Sequence, residues 1–348
     1  MDSDKLKIIS ACLLFGAVIA TVYILVIGST LLIPLVIAVI IWYLINSLTV
    51  AYKNIPFLGI RMPHWFLFGM ALLTILILLW AVFTLITSNI TDVVNAAPVY
   101  QEKLVRLIAR VIELLHIDKT PTVSQLINSV NLGKIIPQFA SVITGIAGNA
   151  GIILLYVFFL LMEQKSFDGK LSALAKNEYR EDTIRKIIGR IDTDIRRYIG
   201  IKSLMSLITA FLSYLVMRYV GVDFAVFWAV LIFIFNYIPT IGSILATAFP
   251  SLLALLQFDT LYPFFVILFG ITALQFAIGN VLEPKIMGNT LNLSPLGIIL
   301  SLALWGTIWG VIGMFLCVPI MVIITIILAQ FPKTRPIAVI LSKNGLVR

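Results

Sequence analysis

Charged residues are scarce in this sequence. Asp, Glu, Lys and Arg make up 12% of its 348 residues, whereas 61% are apolar and the mean hydropathy is +1.08. A soluble globular domain has about 25% charged and about 45–50% apolar residues, and a disordered segment is poorer still in apolar residues. The composition therefore excludes both classes and predicts an integral membrane protein with several spans.

Cysteine and histidine are also rare. Cys12 and Cys317 both lie in apolar runs, where a free cysteine is usually a small buried hydrophobic residue, so no disulfide scaffold is predicted. His64 and His116 are far apart, and neither lies near a cysteine or a pair of carboxylates at metal-ligand spacing. We therefore predict neither a metal site nor a cofactor.

Enzymatic and nucleotide-binding motifs are missing as well. The sequence has no G-x-x-x-x-G-K-[ST] phosphate loop, no H-E-x-x-H zinc motif and no G-x-S-x-G nucleophile elbow. The glycines of 145–151 lie within a hydrophobic span, where small residues allow helices to pack closely. The chain is therefore predicted to be neither a self-contained ATP-driven pump nor an enzyme.

Long uncharged stretches predict the membrane spans. A helix needs about 20 apolar residues to cross the bilayer core. The stretch 8–52 is twice that length and is predicted to form two spans, joined by a tight hairpin at Gly28-Ser29-Thr30. Further single spans are predicted near 65–88, 139–162, 202–220 and 261–281.

Two uncharged stretches, 224–258 and 286–332, are interrupted in the middle. Pro239 and Gly242 break the first, and its flanks of about 15 residues would be roughly 22 Å long, short of the bilayer core of about 30 Å. Such pairs of interrupted segments are typical of broken or re-entrant hairpins in transporters, and paired short tilted spans are the alternative. The second stretch is interrupted around Trp305, Gly306, Trp309, Gly310 and Gly313.

The excess of positive charge lies on one predicted side of the membrane. If each broken stretch enters and leaves on the same side, that side has 19 of the 25 Lys and Arg residues and the other has 6. The positive-inside rule then places both termini, the 53–64 loop, the 163–202 segment and Lys285 in the cytoplasm. The net charge of +9 is thereby explained without a nucleic-acid partner.

Two predicted extramembrane segments are amphipathic. In 89–138, charged residues share one helical face and leucine, isoleucine and valine the opposite one, which favours a helix in the membrane interface. For 163–201, two hypotheses stay open: an interfacial helix facing anionic lipid, and a coupling arm or subunit contact leading into the span at Lys202. Asp194 and Arg197 crowd the predicted membrane boundary.

The predicted fold is an all-α polytopic membrane protein. Its predicted parts are an N-terminal three-span unit (1–88), a periplasmic amphipathic segment (89–138), a fourth span (139–162), a cytoplasmic basic amphipathic helix (163–201), a transport core with two broken hairpins (202–332) and a cytoplasmic basic tail (333–348).

Polar residues at membrane depth are concentrated in 235–319. Polar groups within a bilayer are costly, so they are candidates for function, although hydrogen bonds between helices are the simpler role. Glu283-Pro284-Lys285 is a charge pair at the end of a span, and it either closes a permeation path or forms a capped interfacial turn. The polar candidates are Asn236, Tyr237, Thr240, Ser243, Gln275 and Asn280.

Four ordered motifs follow one another in the C-terminal half. They are N-Y-I-P-x-I-G-S at 236–243, G-N-x-x-x-P-K-I-M-G at 279–288, L-N-L-S-P at 291–295 and W-G-x-x-W-G-x-x-G-M-x-x-x-V-P at 305–319. Together they resemble the AI-2E family, the autoinducer-2 exporter-like permeases. The resemblance implies about eight helical elements and a homo-oligomer, with a pentamer as the family expectation. It also implies export of small polar signalling molecules, or sodium/proton antiport.

The motifs and the polar pattern define the predicted site. The family commonly has Glu where this sequence has Ile278, so a proton relay within the protein would depend on Glu283 or Asp194. The predicted gating or coupling residues are Glu283, Pro284, Lys285, Asp194 and Arg197. The predicted substrate pathway consists of Asn236, Tyr237, Pro239, Thr240, Gly242, Ser243, Asn280, Ser294, Pro295, Trp305, Gly306, Trp309, Gly310 and Gly313.

Three functional hypotheses follow. The leading one is a transporter or facilitator of the bacterial inner membrane that exports a small polar solute such as autoinducer-2, with membrane lipid and further copies of the chain as partners. The first alternative is a sodium or other cation/proton antiporter that binds the ion through backbone carbonyls at the helix breaks. The second alternative is a membrane scaffold that transports nothing.

Overall fold

The computed structural model describes residues 3–55, 62–114, 145, 148–164, 166–174, 178–288 and 292–345. Throughout these ranges the chain is helical apart from short connections and one isolated β-bridge between Leu293 and Ser342. Five of the described helices are long and apolar enough to cross a membrane. The predicted all-α polytopic fold is therefore confirmed.

The helices are numbered here in chain order, and a π-helical segment, Phe276–Leu282, continues α9 into α10. They are α1 (Ser3–Ile27), α2 (Ser29–Lys53), α3 (His64–Leu114), α4 (Ala150–Glu163), α5 (Phe167–Leu174), α6 (Glu178–Val220), α7 (Ala225–Phe235), α8 (Ile241–Gln257), α9 (Leu261–Gln275), α10 (Glu283–Met287), α11 (Pro295–Gln330) and α12 (Arg335–Leu341).

The five helices that could cross a membrane are Ser29–Lys53, His64–Ala96, Glu181–Val220, Leu261–Met287 and Pro295–Gln330. They contain the spans predicted near 65–88, 202–220 and 261–281, and the second half of the stretch 8–52. The predicted span 139–162 is described mainly through α4. The remainder of the predicted segment 89–138, from 115 onwards, lies outside the described residues.

The break predicted at Gly28 is present, but it is a kink and the predicted tight hairpin is wrong. Gly28 donates to the Ile24 carbonyl at 2.7 Å and accepts from the Leu32 amide at 2.8 Å, which is helical hydrogen bonding. Its φ is not positive, as a tight turn would often require, and α1 and α2 do not pack side by side. The side of the membrane on which the N-terminus lies stays a prediction.

Two helices extend well beyond the bilayer thickness. Helix α3 has 51 residues, roughly 76 Å, and runs without interruption through the predicted boundary at 88/89. Helix α6 has 43 residues, roughly 64 Å, and joins the basic segment directly to the span that starts near Lys202. Because Ile195 and Tyr198 are buried in protein, the apolar face of α6 is not available to headgroups there.

The chain forms two compact units. One comprises Met1–Leu44, Gly151–Tyr198 and Asn289–Arg348, and the other comprises Ile45–Ala150 and Ile199–Gly288. Each unit contains one of the two interrupted stretches.

The first interrupted stretch is an antiparallel helical hairpin made of α7 and α8, called here the first hairpin. Trp228 of α7 stacks on Phe249 of α8 with ring centroids 5.8 Å apart, within a buried apolar cluster. At the open end of the hairpin, the Gln257 amide donates to the Gly221 carbonyl at 2.9 Å. Both arms therefore begin and end at the same level, as in a helical hairpin.

The second interrupted stretch, counted above as one helix by its length and composition, consists of two helical arms that fold back at Gly310, whose φ of 61° and ψ of −140° lie outside the helical region. Its arms, 295–309 and 311–330, form what we call the second hairpin. The Ser301 hydroxyl donates across it to the Cys317 carbonyl at 3.0 Å. The amide of Ser294, just before the first arm, donates to the carbonyl of Leu341 at 2.8 Å, which ties α12 to the start of α11.

Candidate functional site

The tip of the first hairpin, residues 236–240, concentrates polar groups at a break in the helix. Thr240 has φ 62° and ψ −59°, a conformation that a non-glycine residue adopts only under constraint. Two pairs of polar side chains connect this tip to the helices beside it, and a third pair joins those helices to each other. We call the six residues the tip cluster: Lys202, Ser203, Asn236, Tyr237, Gln275 and Glu283.

The Tyr237 hydroxyl anchors the tip to the first turn of the α6 span. It lies 2.6 Å from the Ser203 hydroxyl, and Ser203 also donates to the Ile199 carbonyl at 2.6 Å. Ser203 has a single hydroxyl proton, and it donates that proton to the Ile199 carbonyl. Tyr237 is therefore the donor in the bond between the two hydroxyls. Tyr237 is 5% exposed, so this bond gives its buried hydroxyl a hydrogen-bond partner.

Asn236 is held by the helix on the other side of the tip. The Gln275 amide donates to its side-chain oxygen at 3.0 Å. Gln275 is the last residue of α9, where the α-helix changes to the π-helical segment. Short π-helical segments are rare and occur frequently at functional sites. The tip thus contacts α9 where that helix is least regular.

Lys202 and Glu283 complete the tip cluster with an ion pair. The Lys202 ammonium donates to both carboxylate oxygens of Glu283, at 2.7 and 2.9 Å, and the two side chains are 14% and 16% exposed. The charge pair expected between Glu283 and Lys285 is not formed, because residues two apart on a helix point in different directions. Lys285 is exposed.

A buried hydroxyl face continues along α6 beyond the tip cluster. Ser206, Thr209 and Ser213 are each 1% exposed or less. Thr209 donates to the Met205 carbonyl in its own helix at 2.8 Å, whereas the hydroxyls of Ser206 and Ser213 have no hydrogen-bond partner within the described part of the chain. Sequence reasoning missed these residues, although their spacing of three and four after Ser203 was a visible signal.

The open end of the first hairpin is fixed by a second polar group, called here the base cluster. The Gln257 side-chain oxygen accepts from the Asp223 amide at 2.7 Å, and the Tyr100 hydroxyl of α3 donates to the Asp223 carboxylate at 2.7 Å. Lys103 reaches the Gln257 carbonyl at 3.4 Å. Burial, followed by this bond and by the charge of Asp223, raises the pKa of Tyr100 well above its usual value. Helix α3 is thereby attached to both arms.

In the second hairpin, the predicted tryptophans meet the kink between α1 and α2. The indole of Trp309 donates to the Leu25 carbonyl at 2.9 Å, a carbonyl that the helix break at Gly28 leaves without its helical partner. Trp305 lies beside Trp309 with ring centroids 5.2 Å apart. Gly306 faces Met314 of the other arm. Five of the predicted pathway residues, Trp305, Gly306, Trp309, Gly310 and Gly313, therefore lie at this tip.

The remaining predicted residues lie outside these clusters. Ser294 caps the start of α11 by accepting from the Gly297 amide at 3.0 Å, and Pro295 is its first residue. Asp194 forms a long ion pair with Arg190 at 3.8 Å. Asn280, Pro284, Lys285, Pro295 and Arg197 are exposed, and so are Thr240 and Gly310 at the two hairpin tips. The Ser243 hydroxyl donates to the Thr240 carbonyl at 2.9 Å.

Fold and site together define a class of protein. The chain is a polytopic α-helical membrane protein with two helical hairpins whose tips hold polar side chains against neighbouring helices. Residues 13–333 match the family described as AI-2E family transporter, which is nearly the whole chain. The chain therefore belongs to this family, and the resemblance inferred from the four motifs is confirmed.

Several relatives are similar over much of their length. A protein of Borreliella burgdorferi whose name describes it as a transport protein is 32% identical over 271 residues, which are 74% of this chain and 71% of the relative. A Haemophilus influenzae protein of the same name is 30% identical over 289 residues, 81% and 83% respectively. The AI-2 transport protein TqsA of Escherichia coli is 37% identical over 191 residues, which are 55% of this chain and 54% of the relative. Family and spans together make this chain a membrane transporter.

Proposed function

We propose that this transporter exports a small polar solute, uncharged or weakly charged, of the chemical kind that autoinducer-2 represents. The substrate class is carried over from the name of the relative TqsA, an AI-2 transport protein. In this proposal the solute contacts the tip of the first hairpin, and the two hairpins open the path to alternate sides of the membrane.

The observation that carries the proposal is the neutral chemistry of four of the six residues of the tip cluster. Asn236, Gln275, Ser203 and Tyr237 present amides and hydroxyls, each already paired with another member across a gap of 2.6 to 3.0 Å. A hydroxylated solute can exchange for such bonds at little net cost, because one neutral hydrogen bond replaces another. The unpartnered hydroxyls of α6 would extend the polar path along that helix.

The ion pair of the tip cluster favours export over cation/proton exchange. Both oxygens of Glu283 are bound by the Lys202 ammonium, so a fixed cation already occupies the position that a transported cation or proton would need. Releasing that carboxylate would leave a half-buried ammonium without its partner. We therefore assign the pair a structural role in closing the tip cluster, and antiport becomes an outcome of the test.

The proposal also covers the membrane location, orientation and assembly of the transporter. We propose that it lies in the bacterial inner membrane with its C-terminus in the cytoplasm, which rests on the Lys and Arg residues of 163–202 and of the tail. Homo-oligomeric assembly and a role in quorum sensing rest on the family resemblance. A reporter fused after residue 348 that is active in the periplasm would contradict the orientation.

The test is efflux of autoinducer-2 from proteoliposomes. Asn236→Ala removes the acceptor of Gln275 without changing charge, and we expect efflux to fall about 2- to 10-fold, the range that one hydrogen bond accounts for. The matched control is Asn89→Ala in α3, because within the described residues Asn89 bonds to Leu85 and Ser88 of its own helix. Efflux from the control should equal that of the unmodified chain.

Two results would overturn the proposal. Sodium-dependent proton flux that disappears in Glu283→Gln, without efflux of the solute, would identify an antiporter. No flux of solute or ions, together with a partner protein that copurifies with the chain and is lost on Asn236→Ala, would identify a scaffold.

A further inference from the structure

A cavity of about 180 Å³ lies between the basic part of α6 and the end of α11. It is lined by Thr183, Lys186, Ile187 and Arg190 of α6 and by Gln330, the last residue of α11. The four α6 residues recur at intervals of three, one and three, so they occupy one helical face over two turns.

The lining favours an anion rich in hydrogen-bond acceptors. It contains two cations, a hydroxyl and a side-chain amide, and no carboxylate. Lys186 donates to Asp182 at 2.6 Å, but an ammonium has three N–H groups. Arg190 is 3.8 Å from Asp194, and its guanidinium carries five N–H groups in a fork that matches phosphate. These cations can therefore bind a phosphate while keeping their partners on α6.

The position of the cavity favours lipid as the source of that phosphate. Gln330 is the last residue of the apolar second arm, so the cavity lies where an apolar segment gives way to the basic tail. The short helix α12 follows directly and exposes Ile337 and Ile340, which are 49% and 76% accessible. Exposed apolar side chains on a short helix next to a span are typical of the headgroup level.

We propose that this cavity binds the phosphate headgroup of an anionic phospholipid, with Lys186 and Arg190 as the phosphate ligands and Gln330 and Thr183 as neutral donors. Basic pockets beside membrane-spanning helices bind such headgroups in a membrane protein. A bound lipid would join α6 to the end of the second hairpin within the same unit. The proposal is independent of the solute that the transporter carries.

The experiment titrates the purified full chain in detergent with phosphatidylglycerol and counts bound lipids by native mass spectrometry. We expect one tightly retained lipid, and an affinity at least about tenfold lower in the double variant Lys186→Gln/Arg190→Gln, because each basic residue contributes about 1 kcal/mol to anionic lipid binding. The control is Lys333→Gln/Lys343→Gln, which removes the same charge from exposed tail residues and should keep the tight site.

Four further results of the lipid-binding experiment test the proposal. An equal loss in both double variants would overturn it, because general surface charge would then explain the binding. Binding of phosphatidylcholine as tight as that of phosphatidylglycerol would also overturn it, and so would displacement of the lipid by millimolar inorganic phosphate, which would identify a site for the free ion. The single variant Gln330→Ala, which keeps every charge, should weaken the tight site about 2- to 10-fold, the range of one hydrogen bond.

Discussion

Gly242 lies so close to the carbonyl of Phe235 that a Cβ atom on residue 242 would come within 1.8 Å of the carbonyl oxygen. The second hairpin repeats this relationship, since a Cβ on Gly313 would come within 1.8 Å of the Trp305 carbonyl oxygen. Each hairpin is thus closed by a glycine that packs on the backbone of an aromatic residue seven or eight positions earlier. The two hairpins share this close packing of a glycine on a backbone carbonyl although their sequences differ.

The first prediction concerns these two glycines. Gly242→Ala and Gly313→Ala should each destabilise the protein by about 1–3 kcal/mol and abolish most transport, because a rigid backbone carbonyl must move to admit the methyl group. Thermal unfolding in detergent and efflux from proteoliposomes measure the two effects.

Gly69→Ala provides the control for the glycine variants. Gly69 lies in α3, and a Cβ there meets nothing within 4 Å. Because alanine has the higher helix propensity, this variant should be neutral or slightly more stable, by about 0.5–1 kcal/mol at most. Equal melting temperatures for Gly242→Ala and Gly69→Ala would show that the close approach does not hold the first hairpin.

The second prediction is an asymmetry between two hydroxyls. Ser203→Ala leaves the buried Tyr237 hydroxyl without its acceptor and should cost about 1–3 kcal/mol, whereas Tyr237→Phe leaves Ser203 bonded to Ile199 and should cost only about 1 kcal/mol. The double variant should be close to Tyr237→Phe alone. Unfolding free energies measure all three, and simple additivity would contradict the hydrogen bond.

The third prediction concerns the ion pair of the tip cluster. Lys202→Met should destabilise the protein by about 3–5 kcal/mol, because the largely buried carboxylate of Glu283 then lacks its partner. Lys202→Met/Glu283→Leu, which removes both charges, should recover most of that stability. Thermal unfolding of the single and double variants tests this.

An exposed ion pair supplies the comparison. Arg106 and Glu102 in α3 are 3.3 Å apart, and their side chains are 64% and 71% exposed. Arg106→Met should change stability by only about 0.3–0.5 kcal/mol. If the double variant Lys202→Met/Glu283→Leu is no more stable than Lys202→Met, the two charges do not act as a pair.

The fourth prediction is a pH dependence at the base cluster. The pKa of Tyr100 is raised in the folded chain, so the stability that its proton contributes is fully present below the unfolded value of about 10 and is lost only as the pH rises above it. The stability difference between the unmodified chain and Tyr100→Phe should therefore stay constant from about pH 7 to 9 and shrink at higher pH. Thermal unfolding across that range measures it.

Asp223→Asn isolates the charge in the same contact. The amide oxygen of Asn can still accept from the Tyr100 hydroxyl, so this variant should lose less stability at pH 7 than Tyr100→Phe. A stability difference for Tyr100→Phe that already changes between pH 7 and 8 would be incompatible with a raised pKa.

By itself the sequence determined the class of the protein, most of the spans and both breaks. Run length, apolar composition and the positions of Pro239, Gly242 and Gly310 are local properties, and a bilayer leaves few alternatives for a long uncharged segment because its backbone must be satisfied internally. The four motifs were also sufficient to find the family. Two candidate residues of the tip, Asn236 and Tyr237, stood out because polar groups are rare at that depth.

Only the tertiary structure decided how these residues are paired. Glu283 binds Lys202, 81 positions away, and Tyr237 binds Ser203, 34 positions away. Hydrogen bonds between residues so far apart in the sequence depend on helix packing, which the neighbouring residues in the sequence do not specify. Likewise, whether Gly28 forms a turn or a kink depends on what packs around it: its helical bonds persist on both sides, and the carbonyl that the break exposes at Leu25 is bound by Trp309.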